Sequence, residues 1–162
     1  MNKYRNLKQR HIEEVDKFPL MFAFSDEQFN EGMKKLGLNP EDTKEITSIG
    51  FGGFVKKSDL KDYIQLCQKH KEEIQNEINH DKDGTGFIKD MFIEELINHE
   101  YGYTHEIDAV LDALSITPEE VNRNKNLKNG LKIALERCFS KNYDEKVEDI
   151  LLNENEAEEN EP

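Results

Sequence analysis

SDLKDYIQLCQKHKEEIQNEINHDKDGTGFIKDMFIEELINHEYGYTH, residues 58–105, contains two helix-forming stretches joined by a short polar turn. Apolar residues recur at helical spacing along Ser58–Asn79, which predicts one long helix. The turn HDKDGTG (80–86) is rich in Asp and Gly, and a second helix is predicted over Phe87–Glu100. A turn this short predicts that the two helices form an antiparallel hairpin.

Four potential metal ligands lie on this predicted hairpin. Cys67 and His70 are three residues apart and share one helix face, while His99 and His105 bracket the end of the second helix. An antiparallel hairpin places His99 level with the Cys67–His70 pair. Zinc accepts thiolate and imidazole ligands, so these four residues predict a closed structural zinc site. The alternative is a solvated His70 and a small core residue at Cys67.

Two further patterns in this segment resemble metal motifs but are incomplete. Asp81–Ile88 matches the first eight positions of an EF-hand loop, but Phe92 stands where the bidentate glutamate belongs, so a plain turn is predicted. His99–Glu100 begins like a zinc-protease motif, yet the next histidine, His105, comes six residues after the first. A metal-dependent hydrolase built on His99, Glu100 and His105 is therefore only an alternative, and we expect no enzyme activity.

The flanking sequence adds a small sheet and more helices. An apolar run at Leu20–Phe24 predicts a strand, and the segments on either side of Phe51–Gly52 predict a β-hairpin whose glycines supply the turn. Ser25–Gln28 fits a capping box that starts a helix, and Thr117–Glu120 has the threonine, proline and glutamate of a second one. We expect a mainly helical α+β fold, with five or six helices and a two- or three-stranded antiparallel sheet.

Length and composition predict one domain with an acidic extension. The 162 residues suffice for a single core, which we place in residues 1–141. Residues 142–162 are acidic and rich in asparagine, so we expect a disordered tail. The sequence shows no signal-peptide pattern and no apolar run long enough to span a membrane. Its two cysteines, at positions 67 and 138, suit a reducing cytoplasm.

Charge predicts the kind of partner. The chain has 35 acidic and 22 basic residues, a net charge of −13. Such a protein repels nucleic acid phosphates, so direct binding to DNA or RNA is not expected. A basic protein surface would attract it. Candidate contact residues are acids that we expect to be exposed on the two helices of the hairpin: Glu72, Glu73, Glu77, Glu94 and Glu95. The alternative for each one, and the commoner case for a single residue, is an ordinary solvated helix face.

Four segments together resemble a family of uncharacterised small proteins found in phages and mobile elements of gut Gram-positive bacteria. They are FAFSDEQFNEGMKKLGL (22–38), SIGFGGFVKKSD (48–59), GFIKDMFIEELINHEYGYT (86–104) and LDALSIT (111–117), and the similarity spans about residues 18–135. The resemblance implies a phage accessory protein acting in the cytoplasm of a bacterial host.

Charge and this context together lead to a functional hypothesis. Small acidic phage proteins without catalytic motifs include inhibitors of host defence, and CRISPR nucleases bind nucleic acid in basic channels. We therefore expect a non-enzymatic, protein-binding inhibitor of a host nucleic-acid machine, most concretely an anti-CRISPR protein that prevents DNA loading by a type II CRISPR nuclease. The alternatives are the hydrolase described above and a structural or assembly accessory of the phage particle.

Overall fold

The computed structural model describes residues 2–139 and 145–152. These residues form nine α-helices, one 3₁₀ helix and one three-stranded antiparallel sheet. The chain divides into two compact units, which we call the sheet unit (Gln9–Glu73) and the helical unit (the described residues of 1–8 and 74–162). The boundary falls within the two helices that contribute residues to both units, α1 (Lys3–Asp16) and α3 (Leu60–His80).

The sheet unit is built on one short antiparallel sheet. Its strands are β1 (Leu20–Phe22), β2 (Ile46–Gly50) and β3 (Gly53–Lys56), in the order β1-β3-β2. Helix α2 (Asp26–Lys35) follows β1, and a 3₁₀ helix at Thr43–Glu45 precedes β2. Both β1 and β2 are therefore edge strands, and the tight turn between β2 and β3 lies at one end of the sheet.

The core of the sheet unit is small because only alternate strand residues face α2. Met21 of β1 is buried together with Met33 and Leu36 from the end of α2 and Ile46 of β2. The side-chain hydroxyl of Ser25 accepts a hydrogen bond from the Gln28 N–H and starts α2, as the sequence predicts. The neighbours of Met21 in β1 are less covered, since Leu20 is half-buried and Phe22 is exposed.

The helical unit has a larger core, formed around two helices that pack closely. Buried side chains of α4 (Phe87–Asn98) and α8 (Lys125–Phe139) make most of this contact. A Cβ at Gly130 would lie 2.5 Å from Ile88 Cγ2 and 2.9 Å from the Gly84 carbonyl oxygen, so only glycine permits this approach. The remaining helices are α5 (Tyr101–Thr104), α6 (Ile107–Leu114), α7 (Pro118–Arg123) and α9 (Glu145–Leu152).

The predicted fold class is confirmed, but the number of helices is higher than the five or six expected. Three residues between Asn98 and Pro118 adopt left-handed backbone conformations: Glu100, His105 and Ser115. Such residues end a helix, so this region forms several short helices. The predicted capping box at Thr117–Glu120 is present, with hydrogen bonds in both directions. Within the described residues, no helix is both long and apolar enough to cross a membrane.

The segment predicted as an acidic tail contains a helix. Val147 and Ile150 of α9 are three residues apart and are buried in the core of the helical unit. That spacing places both side chains on one face, which explains how a charged segment contributes apolar surface. Positions 142–144 and 153–162 of the predicted tail lie outside the described residues.

Candidate partner-binding site

The predicted zinc ligands belong to two different units. Cys67 and His70 lie on α3 in the sheet unit, where Cys67 is an exposed free thiol. His99 and His105 follow α4 and α5 in the helical unit. Among the described residues, no group of three or more His, Cys, Asp and Glu side chains is arranged to hold a metal ion. The four-ligand zinc site stays a prediction, which zinc content per chain tests.

Three of these predicted ligands have local contacts. His70 Nε2 lies 2.8 Å from Glu14 Oε2, and His99 Nε2 lies 3.7 Å from Glu95 Oε2. The ring of His105 packs edge-on against Tyr101. The hydrolase alternative on His99, Glu100 and His105 also stays a prediction.

His70 instead belongs to a paired-histidine cluster between α1 and α3. Its ring stacks on that of His11, with the ring centroids 3.9 Å apart and the planes 11° from parallel. His11 Nε2 lies 2.7 Å from Glu73 Oε2. Lys69 Nζ lies 2.8 Å from Glu14 Oε2, so each histidine faces a carboxylate that also pairs with a base. Arg10 is the base that pairs with Glu73.

The electrostatics of the paired-histidine cluster favour the neutral form of His11. Burial lowers the pKa of His11 and outweighs the opposing hydrogen bond to Glu73. Hydrogen bonds from Lys69 and His70 lower the pKa of Glu14 to about 2. The cluster therefore joins α1 to α3 within the sheet unit through ion pairs and ring stacking, which is a structural role.

The predicted acidic contact residues differ in exposure. Glu72 is exposed, and Glu77 is half-buried. Glu73 is engaged by the paired-histidine cluster, and Glu94 accepts hydrogen bonds from the Arg5 guanidinium at 2.8–3.2 Å. Of the acids predicted on the hairpin, Glu72 is thus the most available to a partner.

The expectation that Glu95 is exposed is wrong. Only 2% of this residue is accessible, because α4 turns it toward α1 beneath Tyr4. The Tyr4 hydroxyl donates a 2.6 Å hydrogen bond to Glu95 Oε1, and Lys8 pairs with the same oxygen. Although burial opposes ionisation, the hydrogen bonds from Lys8 and Tyr4 lower the pKa of Glu95. Glu95 is therefore a satisfied buried carboxylate of the helical unit.

A surface that the charge pattern does not indicate lies at one end of the sheet. Phe22, Phe24 and Phe51 are 53%, 77% and 99% exposed, and we call these three residues the aromatic tip. Phe22 pairs with Gly53 across the sheet. A Cβ at Gly52 would lie 2.6 Å from Phe24 Cε1, so this ring rests on the turn beside Phe51. The three residues of the aromatic tip therefore lie on the β2–β3 turn or next to it.

The turn holds Phe51 in a conformation that this residue seldom adopts. Phe51 has φ = +50°, between Gly50 at +91° and Gly52 at +75°. Tight hairpin turns need positive φ values and usually have Asn, Asp or Gly at these positions. A phenylalanine there costs stability and exposes its whole ring. The signal in the sequence is the phenylalanine within Gly50–Gly53, because glycines alone would satisfy the turn.

A groove of about 450 Å³ runs beside the aromatic tip, between the end of α1, strand β1 and helix α2. The rings of Phe18, Phe22 and Phe24 contribute to its wall. Asp16 and Glu31 supply carboxylates, and Lys35 supplies an ammonium group. The sheet unit thus combines an exposed aromatic surface with an adjoining groove of net negative charge.

This architecture defines a mainly helical α+β protein with an exposed aromatic surface on a small sheet. The family of unknown function DUF7659 matches residues 3–137, and the chain belongs to this family. No curated protein matches the chain, and neither does any solved structure. The predicted resemblance is confirmed as far as membership of an uncharacterised family, and the phage origin stays a prediction.

Proposed function

We propose that this chain is a non-enzymatic protein-binding protein that docks through its aromatic tip on a basic surface of a partner protein. The observation that carries the proposal is the clustering of three exposed phenylalanines around one turn. Single exposed apolar residues are ordinary, but contiguous exposed aromatic surface is typical of interaction sites. Aromatic side chains also supply large contact areas at small cost in conformational entropy.

The conformation of Phe51 supports a role in binding. A left-handed backbone costs a non-glycine residue about 1–2 kcal/mol. The exposed ring of Phe51 recovers none of this free energy by burial within the chain, since 99% of the residue is accessible. Unfavourable local geometry of this kind is characteristic of functional positions. Burial of the Phe51 ring against a partner would recover this free energy.

Charge supports a basic partner. The sheet unit has thirteen acidic and ten basic residues, and the whole chain has a net charge of −13. Asp26 and Glu27 open α2 two and three residues after Phe24, and both are exposed. Acidic residues around an aromatic contact would speed association with a basic partner surface. They would also repel partners whose surface is acidic.

Affinity capture with a matched control tests this proposal. Immobilised full chain, a Phe24→Ser/Phe51→Asn variant and a Tyr103→Ser variant would be compared on an extract of a Gram-positive bacterium. Tyr103 is 91% exposed in the helical unit and serves as an exposed aromatic control. We expect a discrete partner that the wild type and Tyr103→Ser retain and the double variant loses. Equal retention by all three proteins would contradict the proposal.

The narrower form of the proposal is an anti-CRISPR protein that prevents DNA loading by a type II CRISPR nuclease. It is supported by the acidic charge and by the resemblance to phage proteins, because the DNA channel of such a nuclease is positively charged. In this form the aromatic tip would dock at the rim of the channel, and the acidic residues would compete with DNA phosphates.

A cleavage assay tests the narrower form separately. A type II nuclease loaded with guide RNA would be incubated with the chain before target DNA is added. We expect slower DNA binding and cleavage, weaker inhibition at high salt, and little inhibition by the Phe24→Ser/Phe51→Asn variant. Unchanged DNA binding at an excess of the wild-type chain would refute the anti-CRISPR function and leave the general proposal standing.

A further inference from the structure

The groove beside the aromatic tip has the chemistry of a site for one cationic side chain. Ring faces of phenylalanine attract cations, and Phe22 and Phe24 are the most exposed rings in its wall. Asp16 and Glu31 add two carboxylates against the single ammonium group of Lys35. Within the described part of the chain, neither Asp16 nor Glu31 has a side-chain hydrogen bond or an ion pair, so both remain available to a ligand.

The end of α1 supplies a second, independent reason for a cation. Val15 and Asp16, the last two residues of α1, line the groove. The carboxyl end of a helix carries partial negative charge and favours cations. The last turn of α1 contains no basic residue, and Asp16 adds a further negative charge there. Lys17 follows Asp16 directly but does not line the groove, so a cation bound in the groove would add favourable positive charge at this helix end.

We propose that this groove binds an arginine side chain of the partner protein, a step that rests on the proposed function and names the group recognised. A guanidinium is planar, so it can stack on the ring of Phe22 or Phe24 while its N–H groups donate to carboxylates. An ammonium group lacks the planar face and is more strongly hydrated. The groove therefore discriminates arginine from lysine, and charge discriminates arginine from citrulline.

A titration of the full chain with three blocked amino acids tests the arginine site. N-acetyl-arginine methylamide is the probe, with the corresponding lysine and citrulline compounds as controls. We expect saturable NMR shifts at the Met21 methyl group and the Phe22 and Phe24 rings, with a dissociation constant of roughly 1–10 mM for such a small contact. Lysine should bind several-fold more weakly, and citrulline more weakly still.

Variants distinguish groove binding from general attraction to an acidic protein. Asp16→Asn and Glu31→Gln should each weaken binding of the arginine probe several-fold, and Asp16→Asn should also raise the melting temperature slightly. Glu41→Gln removes an exposed carboxylate outside the groove and should leave binding unchanged. Equal binding of arginine and citrulline, or equal weakening by all three variants, would overturn the site.

The outcomes separate this inference from the proposed function. Failure of the arginine probe, while affinity capture still depends on Phe24 and Phe51, overturns the arginine site alone. Specific arginine binding by a chain that captures no partner supports the site and overturns the proposed function.

Discussion

Phe51 combines an unfavourable backbone conformation with a fully exposed ring, which predicts opposite effects on stability and binding. Asparagine tolerates the left-handed region better than phenylalanine does. Phe51→Asn should therefore raise the free energy of unfolding by about 0.5–1 kcal/mol and lower partner retention at least several-fold. Urea unfolding measures the first effect and affinity capture the second. A less stable variant would show that the ring supports the fold, contrary to the proposed role.

Glu95 shows how burial changes the role of an acidic residue. Its carboxylate accepts hydrogen bonds from Tyr4 and pairs with Lys8, so Glu95→Ala should lower the free energy of unfolding by about 2–3 kcal/mol. Because the pKa of Glu95 is lowered on folding, this contribution is present above pH 4.5 and is lost as pH falls through the folded pKa.

The adjacent Glu94 is the matched control for Glu95. It pairs with Arg5 at the surface, so Glu94→Ala should change stability much less. Similar losses in the two variants, measured by urea unfolding at pH 7, would contradict the assignment of Glu95 as the buried member.

The lowered pKa of His11 predicts that the chain loses stability in mild acid. Burial lowers its pKa below the usual 6.5, so the unfolded chain binds the proton more readily than the folded chain. The contribution of His11 is fully present above pH 6.5 and is lost as pH falls through the folded pKa. The melting temperature should fall between pH 7.5 and 5.5, and His11→Asn should reduce that slope. An unchanged slope in His11→Asn, with exposed His80→Asn as control, would refute the assignment.

At the scale of the elements, contact between α4 and α8 depends on Gly130. Any side chain there would meet the Gly84 backbone and Ile88, so Gly130→Ala should destabilise the chain by about 1–3 kcal/mol despite the better helix propensity of alanine. Lys132→Ala, at an exposed position of the same helix, should be close to neutral. Thermal unfolding of both variants measures the difference. A stabilised Gly130→Ala protein would contradict the close approach of α4 and α8 at this position.

Local signals explain which elements could be predicted from the sequence. Ser25 and Thr117 have side chains that cap a helix start directly, and both predicted helix starts are present. A helix over Thr104–Leu114 is predicted from the sequence and corresponds to α6, but the short helix α5 is not, because Glu100 and His105 are residue types that seldom adopt the left-handed conformation. Helix α9 was also missed, since its buried residues Val147 and Ile150 stand among acids.

For the molecule as a whole, fold class was predictable and the candidate site was not. Apolar periodicity reports which residues are buried, and the mainly helical α+β prediction depends on nothing more. The spacing of the four predicted zinc ligands carries no information on the division into two units, which assigns Cys67 and His70 to the sheet unit and His99 and His105 to the helical unit. The aromatic tip was missed because apolar residues such as Phe22 and Phe24 are normally assigned to a core.

Photo-crosslinking from position 51 tests docking through the aromatic tip most directly. The full chain would carry p-benzoylphenylalanine at position 51, or at position 103 as a control, during incubation with an extract of a Gram-positive bacterium. We predict that position 51 yields one discrete adduct, that position 103 does not yield it, and that the crosslinked peptide lies on a surface rich in lysine and arginine. The absence of an adduct at position 51, or the same adducts from both positions, would contradict docking through the aromatic tip.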